Sequence, residues 1–207
     1  MNERTLLHVG CGPLHKDQTT PGFNTPAWRE LRLDIDPSVK PDIIGTMTDM
    51  SAVTDKSVDA IFSSHNIEHL YPFEVPVALR EFRRVLKPDG FVVLTCPDLQ
   101  SVAELIAEDK LLETAYVSPL GPISAIDMVY GHRRAMAAGN LYMAHRCGFT
   151  LRALIGLLNE MGFAHVAAMR RAHVFDLWAI AMVHGSMAEA EALGREHWPA
   201  HTRPPPT

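Results

Sequence analysis

Residues 58–96 read VDAIFSSHNIEHLYPFEVPVALREFRRVLKPDGFVVLTC. Apolar runs stand at both ends of this stretch, at residues 58–63 and 91–96, and the second is the strongest strand signal in the chain. Between them Val75, Ala78, Leu79, Phe82, Val85 and Leu86 recur at the spacing of one helix face. Pro72 and Pro76 fall near the first turn, where a missing N–H costs little, and Lys87-Pro88-Asp89-Gly90 ends the helix with a turn. A strand, a helix and a second strand of this length form a crossover between parallel neighbours. Continuous apolar strands, rather than alternating ones, mean a sheet covered on both faces.

The same alternation extends outward. Residues 5–9 form a short apolar strand that ends at Gly10-Cys11-Gly12-Pro13. Residues 13–29 are polar, with prolines at 13, 21 and 26 and no helical period, so a loop or a short turn near Trp28 is expected where most α/β units place a helix. Residues 32–37 read as a second strand ending in acids, and residues 42–44 as a weak third. On the other side, a helix follows Asp98, with Val102, Leu105, Ile106 and Leu112 on one face. Thr150 caps a further helix whose stripe is Leu151, Leu154, Ile155, Leu158 and Met161, with Gly162 just past its end. Residues 165–169 and 177–183 are the last strands. The link between them is too short for a parallel crossover, so they pair antiparallel. A polar helix is expected from Gly185 to about Leu193, and residues 202–207, with three consecutive prolines, as a disordered tail. The fold class is therefore α/β, a mainly parallel sheet between two helical layers.

A length of 207 residues suits one domain, and 47% hydrophobic with 21% charged residues is a globular balance. A net charge of -5 argues against nucleic acid held by a general basic surface. No apolar run is long enough to cross a membrane and the N-terminus lacks a signal-peptide core, so a cytoplasmic protein is expected. Cys11, Cys96 and Cys147 suggest no disulfide framework.

A glycine turn at the end of a first strand lets a ligand approach the backbone, and an acid ending the second strand suits the hydroxyls of a ribose. Gly10, Gly12 and Asp34 have this arrangement, which suggests an adenosine-containing ligand. A dinucleotide would need a third glycine opening a helix, and position 15 is His15. A ligand without phosphates fits better, and S-adenosylmethionine is one.

With these features the chain resembles the class I S-adenosylmethionine-dependent methyltransferases of the type 11 kind. The matching stretches are LLHVGCG, RLDIDP, GTMTDM, SVDAIFSSHNIEHL and EFRRVLKPDGFVVLTCPDL, with a looser match in GFTLRALIGLLNEMGFAHV. The resemblance implies a Rossmann-like three-layer sandwich with a seven-stranded sheet whose last strand is antiparallel. It implies S-adenosyl-L-methionine as cofactor, with Gly10, Cys11 and Gly12 in the cofactor turn. Asp34 would take the ribose and Ile35 would lie against the adenine. Asp49 and Met50 would be the acid-plus-apolar pair at the adenine edge, and His65 and Asn66 would stand where the methionine part meets the substrate. The family's acid two residues before the first glycine is His8 in this chain.

On this reading residues 1–185 form the methyltransferase domain, with 114–149 as a substrate-side insertion. Residues 186–207 form a C-terminal helix and tail, the helix packing within the chain or across a homodimer. The expected partner is a small-molecule or glycan-like acceptor, methylated at oxygen, with no nucleic acid and no membrane. Histidines suit removal of a hydroxyl proton, and His69, His132 and His145 are the candidates. Arg133, Arg134 and Arg146 are candidates for reading an acidic group. Two rivals stand beside it. His65-Asn66-Ile67-Glu68-His69 spells H-x-x-E-H, which on a helix would make a zinc-dependent hydrolase. A methyltransferase-like binding module without activity is the other. No residue is assigned to a metal on the preferred reading.

Overall fold

The computed structural model describes residues 3–199. The expected tail at 202–207 lies outside the described residues. The strands in chain order are β1 (Arg4–Val9), β2 (Trp28–Asp34), β3 (Ile43–Ile44), β4 (Val58–Ser64) and β5 (Leu86–Pro97), then β6 (Thr114–Ser118), β7 (Gly121–Ser124), β8 (His165–Arg171) and β9 (Asp176–Met182). The helices are α1 (Val75–Val85), α2 (Leu99–Ala107), α3 (Ala125–Tyr130), α4 (Arg133–Ala137), α5 (Leu151–Glu160) and α6 (Met187–His197). The main sheet has seven strands in the order β3-β2-β1-β4-β5-β9-β8. Its first five are mutually parallel, and β9 runs antiparallel to both β5 and β8. The expected mainly parallel sheet with an antiparallel last strand is thus the observed one.

The helix read between residues 75 and 86 is α1, and Val75, Ala78, Leu79, Phe82 and Val85 are all buried. With α5, through Leu154 and Leu158, it covers one face of the sheet. Opposite the two-residue step from Val58 to Ala60 stands a five-residue step from Leu86 to Phe91, so the expected turn is a bulge inside a longer β5. The helix after Asp98 ends at Ala107. There Val102 is buried, whereas Ile106 and Leu112 are exposed, which shortens the expected apolar face. Asp98 itself caps α2, accepting from Gln100 N and Ser101 N.

The segment before β2 differs most from an ordinary α/β unit. Only a 3-10 turn, Lys16–Gln18, stands between β1 and β2, and β2 begins at Trp28, four residues earlier than expected. The reason is packing: Trp28 and Phe23 turn inward with Leu6, Phe62 and Phe91 on the second face of the sheet. That face is completed by α6, whose Ala190 joins the same cluster. His197, at the end of α6, lies over the Phe23 ring and bonds Thr20 Oγ1 through Nδ1 at 2.7 Å. The helix therefore runs four residues beyond the expected Leu193 and packs on its own sheet, over the area a first crossover helix would cover. Residues 114–149, mixed by sequence, hold the β6–β7 hairpin and the short α3 and α4.

Candidate functional site

A cavity of about 360 Å³ opens at the carboxyl ends of β1, β2 and β4. The chain leaves β1 toward β2 on one side and returns to β4 on the other, so this is the crevice where the strand order reverses and ligands of open α/β sheets bind. Gly10, Gly12, Asp34, Ile35, His65, Asn66 and His69 all reach its wall.

The turn after β1 is built by two glycines in left-handed conformation, Gly10 at φ +64° and Gly12 at φ +53°. A Cβ on Gly10 would overlap the Asn66 carboxamide. That carboxamide donates from Nδ2 to Val9 O, Gly10 O and Ser64 O at 3.0–3.2 Å, stapling the end of β4 to the end of β1. Around Gly12 the space is open. Gly12 N donates to Asp34 Oδ2 at 2.7 Å, and Asp36 N donates to Oδ1 at 2.9 Å. Two backbone donors thus hold the Asp34 carboxylate at the cavity wall, with lone pairs left for a ligand's hydroxyls. Buried Arg32 donates to Gly12 O, Leu14 O and Lys40 O, so its guanidinium holds the loop that lacks a helix.

Beside Asp34 the wall is apolar: Leu33, Ile35, Val39 and Met47. Asp49 and Met50 are not on it. Asp49 Oδ1 accepts from Ser51 N, and Met50 is fully buried with its N–H on Glu81 Oε2. Thr46 and Met47, three residues earlier, stand at the wall in their place. The alternation of Thr-Met-Thr-Asp-Met offers two such polar-plus-Met pairs, and sequence alone did not separate them. Cys11 is buried behind the turn rather than on the wall, and burial pushes its thiol up to about 11. His8 points away from the cavity: its ring meets Phe62 edge-on, and Nδ1 lies 2.8 Å from Glu30 Oε1. Burial lowers the His8 pKa and outweighs the Glu30 carboxylate, which raises it.

After β4 the backbone of His65 is left-handed, at φ +51°, and a 3-10 turn spans Ile67–His69. The helix that H-x-x-E-H would need for a zinc hydrolase does not form, because the motif straddles the strand end. His69 Nδ1 lies 3.1 Å from Ala144 O, and His145 Nδ1 lies 2.9 Å from Met128 O. Their rings meet edge to face at 4.9 Å. His132 is elsewhere: its Nδ1 accepts from Ala135 N and caps α4. Neither His132 nor His145 lines the cavity; of the three histidines expected to take a proton, His69 does. Arg133 is committed to Asp127 at 2.7 Å, whereas Arg146 reaches the cavity, donating to His69 O and lying over the Tyr71 ring.

Glu68 is the residue whose importance the sequence understates. It is fully buried, and among the described residues neither carboxylate oxygen has a hydrogen bond. The His65 Nδ1 lies 3.4 Å away without hydrogen-bond geometry, and the His145 Nε2 lies 4.0 Å away. Burial pushes the Glu68 pKa up, but His65, His69 and His145 together pull it below its ordinary value. Burial lowers the His65 pKa and the Glu68 carboxylate more than reverses it, so His65 is raised. For His145 burial prevails and the pKa falls.

The methyltransferase domain family model matches residues 7–94. A search of the curated proteins gave no match. Among solved structures, this chain resembles a SAM-dependent methyltransferase from Archaeoglobus fulgidus, with 16% identity and a TM-score of 0.55 over 87% of this chain and 86% of that one. It also resembles the 1,6-didemethyltoxoflavin-N1-methyltransferase of Burkholderia thailandensis, solved with 1,6-didemethyltoxoflavin and S-adenosylhomocysteine. There the identity is 14% and the TM-score 0.54, over 87% of this chain and 71% of that one. A third is the CMeT domain of the citrinin polyketide synthase, with 14% identity and a TM-score of 0.53; 89% of this chain spans about half, 48%, of that one. No helix among the described residues is long and apolar enough to cross a membrane. The strand order, the cavity at its reversal and the comparisons agree: this chain carries the fold of the class I S-adenosylmethionine-dependent methyltransferases, and its residues 7–94 match the methyltransferase domain model.

Proposed function

We propose that the chain transfers a methyl group from S-adenosylmethionine to an oxygen of a small-molecule or glycan-like acceptor. The observation that carries this reading is the Asp34 carboxylate, held at the cavity wall by Gly12 N and Asp36 N beside an apolar slot. A diol acceptor next to an apolar slot fits a nucleoside without phosphates. When bound, the cofactor supplies a methyl group already activated by the sulfonium.

The chain's own residues then bind and orient. Asp34 accepts the ribose hydroxyls, Ile35 and Met47 flank the adenine, and Thr46 faces its polar edge. Gly12 lines the cavity with open space beside it, so its bare backbone lets a ligand approach closely. His65 and Asn66 bound the end toward the acceptor, with His69 as the imidazole nearest to it. Residues 114–149 supply Tyr142 and Arg146 to the same wall, which suits an acceptor with an acidic or hydroxyl-bearing group. Holding acceptor and methyl in line supplies most of the acceleration.

Calorimetric titration with S-adenosylmethionine and S-adenosylhomocysteine tests the reading. Micromolar binding that weakens at least tenfold in Asp34→Ala is expected. Folded wild-type protein that binds neither ligand refutes it. An acceptor screen then separates oxygen from nitrogen and carbon nucleophiles.

A further inference from the structure

Next to the cavity, Glu68, His69 and His145 bring one carboxylate oxygen and two imidazole nitrogens within 4.8 Å of one another. We infer that these three side chains bind a divalent first-row transition-metal ion. Three observations carry this.

The first is the orphaned carboxylate. Glu68 is 0% exposed, and neither of its oxygens has a hydrogen bond among the described residues. A buried ionised carboxylate needs partners to offset its lost hydration. Among the described residues the imidazoles within 4.0 Å are His65 at 3.4 Å and His145 at 4.0 Å, neither with hydrogen-bond geometry.

The second is the tautomer that the backbone imposes. A carbonyl oxygen only accepts, so the Nδ1 atoms of His69 and His145 carry their protons toward Ala144 O and Met128 O. Both Nε2 atoms are left with lone pairs. Metal-ligating histidines characteristically donate the other ring N–H to a backbone carbonyl or carboxylate, which fixes the ring and raises the ligand's basicity.

The third is how rigidly the group is assembled from distant parts of the chain. Arg146 N and Cys147 N both donate to Glu68 O, at 2.8 and 3.2 Å. His145 N donates to Tyr130 O, and Ala144 pairs with Gly131. The backbone therefore clamps the His145 segment to both the Glu68 turn and α3. Donor atoms around a bound zinc or similar ion stand about 3–4 Å apart, as bond lengths near 2.0–2.2 Å require. The observed spacing of up to 4.8 Å is wider, so the side chains have to draw together on binding.

Two imidazoles and one carboxylate select zinc, manganese, iron, cobalt or nickel over magnesium and calcium, which favour all-oxygen shells. Three protein ligands leave positions open, and one of the three, His69, lines the cavity. Resting on the proposed methyl transfer, the ion would take an acceptor hydroxyl as a further ligand. Its proton goes to solvent. The oxygen forms a bond to the methyl carbon while the sulfur–carbon bond breaks with its electron pair kept by sulfur. His69 is then a ligand rather than a base.

The test uses the full chain stripped with a chelator and titrated calorimetrically with Zn²⁺ and, separately, Mn²⁺. One ion per chain with micromolar or tighter affinity is expected for at least one of them. Glu68→Gln and His145→Ala should each weaken it about 100-fold or more. Saturating metal, at about 100 times its Kd, should raise the wild-type melting temperature by about 5–10 °C and leave Glu68→Gln unmoved. Each protein's melt without metal is its own baseline, so only the shift that metal adds is compared. That separates loss of a ligand from loss of folding. Binding no tighter in wild type than in Glu68→Gln, or a melt that excess metal does not move, overturns the site. S-adenosylhomocysteine is titrated on the same samples. Cofactor binding without metal binding removes the metal site alone, and metal binding without cofactor binding leaves it standing while the methyltransferase reading falls.

Discussion

Substituting Gly10 by alanine brings two separable penalties. An alanine held in the left-handed region costs about 1–2 kcal/mol. Its Cβ would also overlap the Asn66 carboxamide, which has to leave Val9 O, Gly10 O and Ser64 O. An amide group donates two hydrogens, each bond contributing roughly 0.5–1.5 kcal/mol net, so displacing it costs about 1–3 kcal/mol. Gly10→Ala should therefore destabilise by about 2–5 kcal/mol, and Asn66→Ala by about 1–3 kcal/mol. The double variant lacks the obstructing side chain, so only the backbone penalty adds to that of Asn66→Ala. Its loss should fall short of the sum of the singles by about 1–3 kcal/mol. Urea unfolding of the four proteins without ligand measures this cycle. Losses that add within about 0.5 kcal/mol would refute it, because they would mean that Asn66 does not occupy the space over Gly10.

Other outcomes follow from the same geometry. In Asp34→Ala the Gly12 and Asp36 N–H groups lose their acceptor, so stability should drop by about 1–3 kcal/mol in addition to the weakened cofactor binding; thermal melts without ligand read the first effect alone. Burial holds the His197 pKa at about 4, helped by the Arg4 charge. Below its ordinary pKa near 6.5 the unfolded chain binds a proton that the fold rejects, so stability is complete above that pH and falls as pH drops toward 4. The total is about 3 kcal/mol, and melts across this range in His197→Phe should show a correspondingly shallower fall. Asp127 accepts from Ser124 N and pairs with Arg133, so Asp127→Ala should cost about 2–4 kcal/mol, measured by urea unfolding; an unchanged midpoint would mean that this cap carries no weight.

Much of the sheet is legible because apolar runs and one helix face report burial directly. Residues 58–96 announce a parallel crossover, and the short link before β9 announces its reversal. The first loop was legible as a loop, but not the early start of β2, since Trp28 reads as a turn residue until its partners Phe23 and Phe91 are known. The role of α6 was equally hidden. Its sequence is polar, and the few residues that bury, Ala190, Gly194 and His197, are not strongly apolar. Within the site, Gly10, Gly12, Asp34 and Ile35 reach the cavity as their positions at strand ends imply. Asp49 and Met50 do not: three residues further along the loop, Asp49 faces solvent and Met50 faces the core. His132 and His145 show that a histidine near a pocket in sequence is turned by its backbone partner. The grouping of Glu68 with His145 joins positions 77 residues apart, and no local pattern contains it.

The placement of α6 has a consequence for synthesis. The apolar face formed by Leu6, Phe23, Trp28 and Phe62 is translated early, but the helix that closes it is translated after all four. Thr20 waits for His197 across 177 residues. On the ribosome that face has to stay uncovered while most of the chain emerges. Local contacts cannot shorten this delay, because the covering segment does not yet exist outside the exit tunnel. A chaperone that shields apolar surfaces, or slow translation just upstream of residue 187, would act on this interval and not on the finished fold.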